Sequence, residues 1–165
     1  MRDRIEGKRV YLRRMLKEDA PLAVKWRNAP CVREQFIFKD IVTEEMHLEW
    51  YEKKVLTGSV VQYVIGIKES GEEIGSQYYK DIDRDAKTAE YGIYIGREDM
   101  LGKGYGREVM ELALEYALSD LGLSEIRLRV LEANERARRL YQSMGFTECG
   151  RDVSGLPVIF MKRKL

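Results

Sequence analysis

Apolar positions recur along this chain with two periods, alternation for strands and a spacing of three to four for helices. Val10 to Met15 is expected as a first strand. Asp19 to Asn28 brings Leu22, Ala23 and Trp26 to one side, the stripe of a short amphipathic helix. A loop around Pro30 leads to a second helix, Glu44 to Leu56. Met46 replaces the acid of a full capping box there, but Thr43 can still cap it, and Gly58 fits the stop. Val60–Lys68, Glu73–Ile82 and Thr88–Gly96 read as three strands of an antiparallel meander, joined by Ser70-Gly71 and by the polar stretch Asp83–Lys87. Gly104 to Asp120 is the long helix, with Val109, Leu112, Ala113, Tyr116 and Ala117 on its inner stripe. Glu125–Leu131 alternates cleanly. Asn134–Met144 is a helix ended by Gly145, and Phe146–Asp152 and Val158–Lys164 close the chain as a hairpin around Ser154-Gly155. The expected fold is mixed α/β (α+β): a central, mostly antiparallel twisted sheet of about seven strands flanked by four helices, without the strict alternation of a doubly wound sheet.

With 165 residues the chain fits one domain, 1–165. Its 29 basic and 28 acidic residues leave a net charge of +1. That balance exerts no general pull on nucleic acid or an anionic membrane, so a phosphate ligand must be held locally and neither is expected as a partner. Cys31 and Cys149 lack metal-ligand or redox spacing and read as buried thiols, with a disulfide between them as the alternative. His47 is the only histidine, and no HExxH occurs, so no metal is expected. The opening residues lack a signal peptide's apolar core, which makes the cytoplasm the expected compartment.

The strongest local signal is Gly102-Lys103-Gly104-Tyr105-Gly106-Arg107, after an apolar run and ahead of the longest helix. Glycines let the backbone approach a ligand, and a helix N-terminus offers free N–H groups and a positive dipole end, a combination suited to phosphate. A nucleoside-triphosphate loop would need Ser or Thr after Gly-Lys, where Gly104 stands. The dinucleotide fingerprint would need a third glycine where Arg107 stands. A glycine-rich turn without a ligand is the remaining alternative.

A second block lies about thirty residues on: Asn134, Ala137, Leu140-Tyr141 and Gly145-Phe146. Together the two blocks resemble the GNAT superfamily of acyl-CoA-dependent N-acyltransferases, whose glycine-rich loop precedes Asn, Ala, Leu-Tyr and Gly-Phe in this order. The loop departs from the family pattern at its first position, Leu101 in place of Arg or Gln. The resemblance implies a GNAT-type fold and acetyl-CoA as co-substrate. The amides of Gly102, Lys103, Gly104, Tyr105, Gly106 and Arg107 would then hold the diphosphate, with Lys103 adding charge if it points inward. A backbone N–H near Tyr94 or Ile95 on the preceding strand would be offered to the thioester oxygen, and Asn134 would bond the pantetheine arm. Tyr141 would protonate the departing thiolate, and Glu90 would be the base, through water ordered by Tyr78 and Tyr79. Arg136, Arg138 and Arg139 would reach the 3′-phosphate. The residues alone also allow a solvated Lys103, an N-capping Asn134, a core Tyr141 and an exposed Glu90.

Acceptor choice falls to the first two helices. Arg27 follows Trp26, and His47, Trp50 and Tyr51 share a helix face. Arg27, His47, Trp50, Tyr78, Tyr79 and Tyr91 are the candidate substrate contacts: aromatic faces suit a sugar ring, and Arg27 suits its phosphates. A plain aromatic cluster is the alternative. The segment resembles nucleotide-linked aminosugar N-acetyltransferases of the pseudaminic-acid type and, less closely, the RimJ/RimL type that acetylates protein N-termini. A small amine acceptor is expected in the first case; polyamines and protein N-termini stay open. So does a non-catalytic acyl-CoA-binding module, and a homodimer is one option for assembly.

Overall fold

The computed structural model describes residues 2–165. The chain runs β1 (Arg4–Glu6), β2 (Val10–Arg14), α1 (Ala20–Asn28), α2 (Pro30–Arg33), α3 (Glu44–Trp50), β3 (Val61–Ile67), β4 (Glu73–Asp83), β5 (Thr88–Ile95), α4 (Tyr105–Ser119), β6 (Glu125–Leu131), α5 (Glu135–Ser143), β7 (Thr147–Asp152) and β8 (Val158–Lys164). The strands form one sheet of eight in the order β1-β2-β3-β4-β5-β6-β8-β7. Every pairing is antiparallel except β5 with β6.

The mixed α/β, mostly antiparallel architecture agrees with the sequence pattern, and the counts are corrected. An eighth strand, β1, precedes the seven expected. It is three residues long and buries only Ile5, too short for a period to register. A fifth helix, α2, is a single turn begun by Pro30, whose fixed φ suits a first helical position. The expected helix over 44–56 is α-helical only to Trp50 and continues as a π turn over Tyr51–Val55. There Leu56 donates to the carbonyl of Tyr51 at 2.8 Å. Thr43 caps α3 as expected, its hydroxyl accepting from the N–H of Met46 at 3.2 Å, and Gly145 ends α5 with φ +84°. Cys149 is exposed on β7, contrary to a buried thiol.

Strand alternation divides the core between the two faces of the sheet. Tyr63, Ile65, Tyr79 and Tyr91 pack with Val109, Met110, Ala113 and Tyr116 of α4. Val64 and Tyr94 face the other way, onto Ala23 and Trp26 of α1 and Val32 of α2. No helix is long and apolar enough to cross a membrane among the described residues.

Candidate active site

The parallel pair opens the molecule. β5 and β6 are in register only at Thr88–Glu125, Ala89–Ile126 and Glu90–Arg127. Beyond that β5 stays with β4 as far as Ile95 and β6 stays with β8 as far as Leu131, so the two strands part. Gly96 donates to the carbonyl of Ile74 on the β4 side at 2.8 Å. Amides alternate along a strand, so those of Ile93 and Ile95 point to the edge that β6 has left. A cleft of about 1020 Å³ occupies the gap, lined among others by Tyr91–Ile95, Gly102, Gly104–Arg107, Asn134, Arg136 and Tyr141.

One arm of the cleft is the glycine-rich loop. Gly102 and Gly104 have φ of +75° and +84°, a left-handed backbone that side chains resist; Gly104 is the N-cap residue of α4. The turn therefore exists because glycine stands there, and it presents the start of a fifteen-residue helix to the cleft. Lys103 is exposed and is not among the cleft-lining residues, which fits the solvated alternative for its side chain. Arg107 bonds Ser143 at 2.7 Å. Arg136 lines the cleft, whereas Arg138 pairs with Glu148 and Arg139 with Glu135, leaving one of the three basic candidates there.

Asn134 caps α5, its Oδ1 accepting from the N–H of Ala137 at 3.2 Å, and it also lines the cleft. The two readings of this residue coexist. Tyr141, one face further along α5, is 8% exposed; burial pushes its hydroxyl up to about 12. Glu90 lies at the fork of the two strands. It is held by Arg129 at 2.9 Å and by Lys80 at 3.2 Å, so its oxygens are engaged rather than free.

The far arm comes from α1 to α3. Arg27 stacks on Phe36 with 3.5 Å from guanidinium carbon to ring centroid and donates Nη2 to the carbonyl of Phe38 at 2.7 Å. Its Nη1 is buried without a hydrogen-bond partner among the described residues, and burial lowers the pKa. His47 is 9% exposed with Nε2 unpartnered; desolvation lowers its pKa and favours the neutral ring. Trp50 donates its indole N–H to Gln62 at 3.1 Å. Tyr78 lines the cleft over Gly92, where any Cβ would stand 2.3 Å from its ring.

Tyr79 is corrected. It is 0% exposed, on the α4 face, and donates to the carbonyl of Ala113 at 2.6 Å; one residue along a strand reverses the face, so it cannot accompany Tyr78. Tyr51, half-buried, packs against the cluster that holds Ala23, Trp26 and Val32. Tyr91 borders the cleft, but its ring lies against Tyr79, 5.6 Å between centroids, with the hydroxyl unpartnered. The sequence reading missed Arg129, Lys80, Phe36 and Gln62. Only Gln62 left a signal, a polar residue inside an apolar run.

A splayed parallel pair, a glycine-rich helix start on one side and a capped helix with an inward tyrosine on the other now stand around one cleft. Residues 9–147 match the model of an acetyltransferase (GNAT) domain. The chain belongs to the GNAT acetyltransferase family. It is 29% identical over 152 residues to an uncharacterized protein of Methanocaldococcus jannaschii, an alignment covering 89% of this chain and 30% of that protein, so the chain spans less than a third of this relative. It is 28% identical over 130 residues to acetyltransferase PseH of Campylobacter jejuni, covering 79% of this chain and 78% of the relative. The solved spermidine N-acetyltransferase of Vibrio cholerae, in complex with CoA and spermine, superposes with a TM-score of 0.84 over 94% of this chain and 95% of that one at 24% identity, a likeness of fold.

A GNAT acetyltransferase moves an acetyl group from acetyl-CoA to an amine, and acetyl-CoA is the donor here. The cleft suits that substrate. It offers unpaired strand amides to an extended pantetheine arm and helix N–H groups to a diphosphate. Direct attack of a bound amine on the thioester needs no covalent enzyme intermediate, and proximity supplies much of the rate.

Proposed function

We propose that this GNAT enzyme acetylates the amino group of a nucleotide-linked aminosugar. The observation that carries the reading is Arg27. A guanidinium at the acceptor end of the cleft, with one nitrogen buried and unpartnered and no carboxylate within salt-bridge distance among the described residues, is costly until an anion completes it. A phosphate of the acceptor does so, while Trp50, Phe36 and Tyr78 wall the sugar and neutral His47 adds a hydrogen-bonding edge. A polyamine is the second reading, favoured by the likeness to spermidine N-acetyltransferases. It would bring more positive charge to a wall whose Glu90 is already paired with two cations.

In this reading the loop amides of Gly102 to Arg107 seat the diphosphate, and the N–H of Ile95 donates to the thioester oxygen as charge develops on it. The amine nitrogen forms the new C–N bond as the C–S bond breaks. Glu90 takes up the amine proton through water, and Tyr141 gives its proton to the departing thiolate. Arg27, His47, Trp50 and Tyr78 hold the acceptor.

The test is an acceptor screen with acetyl-CoA and thiol release as readout, comparing a nucleoside-diphosphate-linked aminosugar, spermidine and a peptide. The sugar nucleotide is expected to give the highest kcat/KM. Arg27→Met is expected to raise its KM by about 10- to 100-fold with the acetyl-CoA KM little changed. Preference for spermidine, unaffected or improved by Arg27→Met, overturns the proposal.

A further inference from the structure

The turn between β1 and β2 sends an arginine to the glycine-rich loop. Arg9 donates Nη1 to the carbonyl of Lys103 at 2.9 Å, across 94 residues of sequence. Its Nη2 stands 3.1 Å from where a Cβ on Gly104 would be, and its guanidinium carbon lies 5.0 Å from the ring centroid of Tyr105. Glu108, in the first turn of α4, holds this arginine in place. One carboxylate oxygen accepts from Arg9 Nε at 3.0 Å; the other accepts from the backbone N–H of Arg9 at 2.6 Å and of Val10 at 3.2 Å. Both the backbone and the guanidinium of Arg9 are thus tied to the helix that the loop opens.

Peptide geometry gives this contact a consequence. The carbonyl of Lys103 and the N–H of Gly104 belong to one trans peptide and point in opposite directions. Anchoring the carbonyl on Arg9 turns the Gly104 amide the other way, toward the cleft that Gly104 lines and Lys103 does not.

We propose that Arg9 is a positioning residue for the donor: it orients the 103–104 peptide so that its N–H faces the diphosphate of acetyl-CoA. The inference rests on the loop holding that diphosphate, as proposed above. The experiment compares two donors, acetyl-CoA and S-acetylpantetheine, which has the thioester and the pantetheine arm but no diphosphate. Arg9→Met is expected to lower the ratio of kcat/KM for acetyl-CoA over S-acetylpantetheine by about tenfold, mainly through the acetyl-CoA KM. Arg9→Lys, which keeps a cationic donor, recovers part of it. Should Arg9→Met fail to fold, Arg9→Gln is measured in its place with the same fall expected. Gly102→Val serves as the probe of the loop itself. A lowered ratio in Gly102→Val with an unchanged ratio in the Arg9 variants overturns the role of Arg9 and leaves the loop reading standing. An unchanged ratio in both overturns the loop reading and the inference together.

Discussion

Tyr141 shows how a residue legible in sequence acquires its chemistry from surroundings. The order Asn, Ala, Leu-Tyr, Gly-Phe marks it, but burial between α5 and the sheet pushes its hydroxyl up to about 12. A phenol so placed stays protonated through the working pH range, and the acid form is lost only as pH climbs through that value. If Tyr141 is the acid, Tyr141→Phe is expected to lower kcat by about 100-fold while the acetyl-CoA KM stays within about twofold. The wild-type pH–rate profile is expected to rise as the amine loses its proton and then hold level to about pH 10. A kcat unchanged in Tyr141→Phe would contradict the assignment. Tyr79 shows the converse. Its sequence neighbour Tyr78 reaches the cleft, yet Tyr79 spends its hydroxyl on the backbone of α4, because adjacent strand residues face opposite sides.

At the scale of elements, α5 has a cap that faces two ways. Asn134 satisfies the N–H of Ala137 and also borders the cleft. Asn134→Asp keeps the capping oxygen and removes the amide donor; Asn134→Ala removes both. Asn134→Ala is expected to cost about 1 kcal/mol of stability in denaturant titration, Asn134→Asp much less, and both are expected to weaken donor binding by calorimetry. The same unequal loss of stability with donor binding intact in both variants would make Asn134 a cap alone. The helix itself was legible from the run Asn134–Met144 and from Gly145, which ends it. The parting of β5 from β6 was not, since both strands read as ordinary apolar segments and nothing in either one states where its neighbour leaves it. The π turn after Trp50 was equally silent: it changes which backbone atoms bond, with the apolar pattern kept.

For the whole molecule, donor binding and folding are linked, because the cleft gathers residues from Arg27 to Tyr141 and exists only in the folded chain. Acetyl-CoA at about 100 times its Kd is expected to add about 2.7 kcal/mol of stability, a rise in Tm of roughly 5–10 °C for a chain of this size, read by thermal denaturation with and without the donor. An unmoved Tm at saturating donor would show that this cleft does not take it. The amino-acid order alone determined the mixed α/β class, the seven longer strands, the loop that needs glycine and the helix that carries Asn134 and Tyr141, because periodicity, turn chemistry and capping are properties of neighbouring residues. Tertiary structure alone decided that Lys103 is exposed, that Glu90 is clasped by Lys80 and Arg129 and that Arg9 reaches Lys103 from the far end of the chain. Those contacts join residues 10 to 94 apart, and only closure of the sheet brings them together.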